Sequence, residues 1–202
     1  MSSRTQDGAA PPPRLPRLAP GGLTREQERL YRTITEGPRR QHAGFFPVAD
    51  GDGVLSGPYR AMLLSPDVGT ALEAVGVAVR YHSALPARER ELAILMVSCH
   101  CRCPVEWRAH EELARAAGVP GETVDTLRSG APTLPDRPAQ VLYAFVGGLL
   151  GDNRVPDETF REAESLWSTA GVFELVVTVG YYQIIAGINN AFDVSSERKG
   201  PA

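Results

Sequence analysis

Glu106 and His110 stand four positions apart in the stretch Val105-Glu106-Trp107-Arg108-Ala109-His110. On a helix that spacing puts both side chains on one face, within reach of each other. A carboxylate beside an imidazole is an acid/base pair. The neighbouring carboxylate favours the charged imidazole, whereas burial favours the neutral form of both groups, so either can be poised near neutrality. The spacing also fits an exposed ion pair worth about 0.3–0.5 kcal/mol. Glu91 joins the pair if two helices pack antiparallel about a corner at Cys99 to Pro104. Its alternative role is that of a first-turn acid held by the helix dipole.

Cys99, Cys101 and Cys103 fall within five consecutive positions, which is not how a disulfide framework is spread along a chain. Cys103 precedes Pro104 at an expected helix N-terminus, where exposed amides stabilise a thiolate; Glu106 nearby opposes this. Cys103 is therefore the candidate reactive thiol, with a buried packing role as the other reading. A zinc site built from the three cysteines with His100 and His110 lacks the usual paired spacing, and no metal is expected.

An anionic substrate needs a cation, and Arg39, Arg40, Arg60 and Arg88 are the candidates. Arg39 and Arg60 are taken as substrate-binding, with Tyr59 and Trp107 as pocket walls, although aromatic residues at such positions also complete cores.

The elements that must hold these groups read as helices. Thr24 with Gln27 three residues on is a capping-box signature opening a helix that ends at Gly37-Pro38. Gly37 to Pro58 reads as irregular. Ser65-Pro66 combines an N-cap with Pro at the first helical position, followed by Val68, Leu72, Val75 and Val79 at helical spacing. A helix from about Ala87 carries the apolar run Leu92 to Val97. The next starts at Cys103-Pro104 and stops at Gly118. Helices over Pro120–Leu127, Pro138–Leu150 and Asp157–Thr169 precede a last one, Val172–Ala191, apolar nearly all round. Such a helix is central to a core or packs on another subunit, so self-association is expected.

Composition narrows the classes. With 202 residues, 43% of them hydrophobic, the chain suits a single domain with a sizeable core. A net charge of −3 with mixed signs gives no basic stripe, so nucleic acid is not an expected partner. No secretory signal and no membrane span of about 18 apolar residues is read, and a cytoplasmic location is expected. The Pro- and Arg-rich residues 1–22 read as a flexible or extended arm, 23–196 as the helical domain and 197–202 as a tail.

Together these residues resemble the carboxymuconolactone decarboxylase family and its relative alkylhydroperoxidase D. The likeness runs through Gly57-Pro58-Tyr59-Arg60, Leu64-Ser65-Pro66, Arg88 to Leu95, Val105-Glu106-Trp107 with His110, Gly118, Gly180-Tyr181-Tyr182 and Asn190-Ala191-Phe192, spanning about Leu23 to Val194. The resemblance implies an all-α helical bundle, oligomeric as a trimer or hexamer, with no metal or organic cofactor. In the peroxidase branch a Glu is followed by C-x-x-C-x-x-x-H; Glu91, Cys103 and His110 match, but Glu106 stands where the second cysteine would be. The Glu-Trp-x-x-His arrangement is similar to the decarboxylase-like branch. The resemblance therefore implies acid/base chemistry on a small carboxylated lactone or β-keto acid, by decarboxylation or isomerisation. His110 would pass the proton, Glu106 would fix the imidazole tautomer and Glu91 would act as relay. A thiol peroxidase using Cys103, with peroxiredoxin activity, and a non-catalytic oligomeric member of the fold are the alternatives.

Overall fold

The computed structural model describes residues 13–42 and 47–194. These form eight α-helices: α1 (Arg25–Glu36), α2 (Pro58–Met62), α3 (Pro66–Val77), α4 (Ala87–His100), α5 (Pro104–Ala116), α6 (Gly121–Leu127), α7 (Arg137–Gly151) and α8 (Asp157–Ala191). Among the described residues the one β feature is an isolated bridge between Ala49 and Leu55. The all-α class expected from the sequence is the class observed. The expected arm from residue 1 and the tail from residue 197 fall partly or wholly outside the described residues. From residue 13 on, the arm lies against the body, with Leu15 buried and Arg14 Nη1 donating to the Ala191 carbonyl at 2.7 Å.

α4 is the centre. Every residue from Leu92 to Val97 is buried, because the helix packs on α5, α7 and α8 at once and has no face left for water. A helix apolar all round belongs in such a place. Its C-terminus closes on Cys101, Arg102 takes φ +50° to turn the chain, and Cys103 caps α5 with its amide donating to the Ser98 carbonyl at 2.9 Å. That three-residue corner brings α5 back along α4.

The Thr24 capping box is formed in both directions, with Thr24 Oγ1 accepting from the Gln27 amide and Gln27 Oε1 from the Thr24 amide. It aims Leu30 and Ile34 into the core. Ser65 differs from expectation: its side chain makes no cap bond, and its backbone carbonyl instead accepts from Gly69. The apolar stripe expected along α3 is split: Leu72 packs partly on the core and Val79, just beyond the helix, is buried, but Val68 and Val75 are exposed. Val68 is 66% exposed, while Gly69, Glu73 and Gly76 point inward. Gly69 lets α3 approach Met62 and Leu30, while Gly76 and the paired acid Glu73 adjoin Arg39.

α3 runs on into a widened π-helical turn, Ala78–His82, a feature that often marks functional positions. The two last helices expected from the sequence are both present within α8, meeting at a kink at Ser168, whose φ of +63° is non-helical. By length and composition α8 is long and apolar enough to cross a membrane, contrary to the expectation that no stretch would be. Half of its most apolar window is buried within the fold.

Candidate active site

Glu91, Glu106 and His110 converge. His110 Nδ1 lies 2.6 Å from Glu91 Oε2, and its Nε2 lies 3.7 Å from Glu106 Oε2. Glu106 is 6% and His110 4% exposed, so the pair is not the surface ion pair that the spacing alone allowed. The division of roles also differs from the sequence reading. It is Glu91, across the helix pair, that fixes the imidazole; Glu106 stands beyond hydrogen-bond distance because the i,i+4 side chains diverge toward different partners. A carboxylate on Nδ1 assigns the proton to that nitrogen and leaves the Nε2 lone pair facing Glu106.

The two acids have opposite electrostatics. Burial raises Glu91's carboxyl, but His110, by charge and hydrogen bond, with Arg80 and Arg90 behind, outweighs it and holds the group below the usual range. For Glu106, burial dominates and pushes the carboxyl up, against the opposing pull of His110, Asn189, Arg80 and Arg39. Asn189, itself buried on α8, donates to Glu106 Oε1 at 2.7 Å. With Oε1 occupied, Oε2 is the oxygen left to carry a proton toward His110. Carboxyls pushed apart in this way mark acid and base assignments.

A cavity of about 70 Å³ opens beside Glu106 and His110, walled by Tyr59, Tyr181 and Tyr182 and reached by Arg39 and Arg80. Arg39 closes on Glu73: Nε lies 2.8 and 2.9 Å from its two oxygens, and Nη2 2.7 Å from Oε2. Its remaining donors go to Tyr59 Oη at 2.9 Å and Tyr181 Oη at 3.3 Å. Arg39 thus reaches the cavity, as expected, but as a neutralised post that fixes two tyrosines.

Arg80, on the π-helical turn, was not among the expected cations. Its Nη1 donates to Tyr182 Oη at 2.9 Å and stands 3.4 and 3.2 Å from the two ring nitrogens of His110, alongside the ring and not in line with either. Its Nη2 comes no nearer to Glu91 Oε1 than 4.0 Å.

The other expected residues are placed elsewhere. Arg60 lines a different hollow, near Arg17 and Arg108. Trp107 is buried away from the cavity, its indole donating to Glu111 at 2.9 Å under the Arg128 guanidinium. Arg88 is held by Asp136 and Glu89, and Arg40 is exposed. Cys103 is buried at the α5 N-cap. Burial, with Glu106 adding, pushes its thiol up despite amide and Asn189 hydrogen bonds. The helix-terminus argument for a thiolate is outweighed by desolvation. Among the described residues no three of His, Cys, Asp and Glu are grouped to hold a metal ion.

Residues 66–140, which carry Arg80, Glu91, Glu106 and His110, match the model of the carboxymuconolactone decarboxylase family. No curated protein matches the chain in sequence. In fold, the chain is similar to the crystal structure of an uncharacterized peroxidase-related protein with an alkylhydroperoxidase AhpD core from Ralstonia eutropha JMP134. The TM-score is 0.68 at 15% identity, over 92% of this chain and 93% of that one. A candidate antioxidant defence protein AhpD from Agrobacterium tumefaciens aligns with a TM-score of 0.57 at 18% identity, over 70% of this chain and 96% of that one. At these identities the likeness shows the AhpD-like fold.

Proposed function

We propose that the chain is a cofactor-independent acid/base enzyme that decarboxylates or isomerises a small carboxylated lactone or β-keto acid. The observation that carries this reading is the asymmetric trio: an ionised Glu91 on Nδ1 of His110, a buried Glu106 biased toward its protonated form at Nε2, and a cavity beside both. In a decarboxylation the bond to the carboxylate carbon breaks, its electron pair passes into the enolate, and CO₂ leaves. The proton on Glu106, passed directly or through His110 Nε2, then closes the former bond site, and solvent reprotonates Glu106. Positioned acid/base groups are worth about 10²–10⁴-fold in rate.

The test is CO₂ release from a panel of lactone carboxylates and β-keto acids. Wild type is expected to turn over at least one of them and Glu106→Gln to be slower by about 10²–10⁴-fold; equal rates would overturn the reading.

A second reading follows from the peroxidase-related names of the two structural relatives: a thiol peroxidase in which Cys103 attacks peroxide. Three free cysteines are present, with Cys99 and Cys101 half-buried. Mass spectrometry after peroxide treatment separates the two, since a sulfenate or disulfide at Cys103 supports the peroxidase and a fully reduced chain opposes it.

A further inference from the structure

Three tyrosine hydroxyls on the cavity wall share one property. Tyr59 Oη accepts from Arg39 Nη1, Tyr181 Oη from Arg39 Nη2 and Tyr182 Oη from Arg80 Nη1, and none of the three finds an acceptor for its own hydrogen among the described residues. A hydroxyl has one hydrogen to give and two lone pairs to fill. Filling a lone pair from a guanidinium polarises the O–H toward an outside acceptor. Burial keeps all three phenols in the protonated, donating form.

The cavity also holds a cation with charge to offer. Arg39 is closed on Glu73, but among the described residues the carboxylate paired with Arg80 is that of Glu91, at 4.0 Å, and it is engaged by His110. The acids nearby do not cancel this: Glu106, on the cavity wall, is biased toward its neutral form, and Glu91, behind His110, is tied to Nδ1.

We propose that the Tyr59, Tyr181 and Tyr182 hydroxyls with Arg80 form a binding site for a small planar oxyanion, a carboxylate or an enolate oxygen. A cavity of about 70 Å³ suits an acid of a few heavy atoms. For its catalytic consequence this rests on the acid/base reading of Glu106 and His110. There, charge leaves the departing carboxylate and develops on the enolate oxygen, and donors aimed at that oxygen favour the transition state over the ground state.

The experiment titrates ring-labelled tyrosine resonances of the full chain with acetate and with acetamide, its neutral isostere. Acetate is expected to shift the three cavity tyrosines saturably and to bind at least about tenfold tighter than acetamide, as a hydrogen bond to a charged group warrants. Tyr182→Phe should weaken acetate by about tenfold, and Tyr143→Phe, outside the cavity, should not. If Tyr182→Phe fails to fold by circular dichroism, Tyr59→Phe carries the same readout. Equal affinity for acetate and acetamide, or unchanged acetate binding in the folded phenylalanine variant, overturns the site. Acetate binding and CO₂ release, both measured on the wild-type protein, separate the two proposals. Acetate binding with no CO₂ release from any substrate leaves this site standing and removes the decarboxylase reading; turnover without a preference for acetate does the reverse.

Discussion

Glu91 Oε2 lies 2.6 Å from His110 Nδ1 although the two residues are 19 positions apart. The contact exists because the corner from Cys101 to Cys103 returns α5 along α4. It sets the tautomer of the imidazole and, through it, which acid faces Nε2.

The two carboxyls should leave opposite marks on stability. Glu91's folded pKa is depressed below 4.5, so its contribution is present above that value and is lost as pH falls through the folded pKa. Glu91→Gln is therefore expected to cost about 3 kcal/mol near neutrality, as for breaking one partner of a buried pair, with the deficit shrinking in acid. Thermal melts of both proteins across pH check this, and a deficit that grows on acidification contradicts it.

Glu106's folded pKa is raised above 4.5, so its contribution is full below 4.5 and is lost as pH rises through the folded value. Glu106→Gln keeps an oxygen for Asn189 and cannot ionise. Its melting temperature relative to wild type should rise with pH, the mirror image of Glu91→Gln. A difference independent of pH in the same melts would show that the carboxyl does not change state.

Gly76 makes room for the Arg39 post. A Cβ added there would collide with Tyr181 Oη and Arg39 Nη2, the first bonded to Arg39 and the second held by Glu73. Gly76→Ala should cost about 1–3 kcal/mol, the range for overpacking a filled interior, and should disturb the cavity tyrosines. Chemical denaturation gives the energy, and tyrosine resonances report the cavity; an alanine variant as stable as wild type contradicts the packing argument.

Phe173 at 68%, Ile184 at 52% and Val176 at 42% exposure lie on one side of α8. An apolar stripe of this kind on a folded protein marks an interaction face, and a second copy of the chain is the expected occupant. Light scattering should give a mass above the 21.8 kDa of one chain, falling toward it in Phe173→Asp with Ile184→Asp. A wild-type monomer would exclude the interface.

The helices were legible because their ends carry strong local chemistry: the Thr24–Gln27 box, Pro104 after Cys103, Gly118 with φ +95°. Glu91, Glu106 and His110 were legible because helical spacing and one short corner limit where they can go. Arg80, Tyr182 and Asn189 were not, since their partners lie 102 and 83 positions away in the pairs Arg80–Tyr182 and Asn189–Glu106 and no local pattern encodes such contacts. Arg60 and Trp107 were misplaced for a related reason. Their types suit a substrate pocket, but which wall of a helix faces it is decided by tertiary packing. On α3 Val68 and Val75 face outward, since part of the interior there is built around Arg39 and Glu73.

The account rests on Glu106 holding a proton where an ordinary glutamate would not. The direct measurement is a pH titration of the side-chain carboxyls by ¹³C NMR on wild type beside Glu106→Gln, so that the resonance missing from the variant identifies Glu106. The account predicts a midpoint above the ordinary 4.5, with Glu91 titrating below it. A Glu106 midpoint at or below 4.5 would leave no buried acid beside His110 Nε2 and would contradict the proposed chemistry.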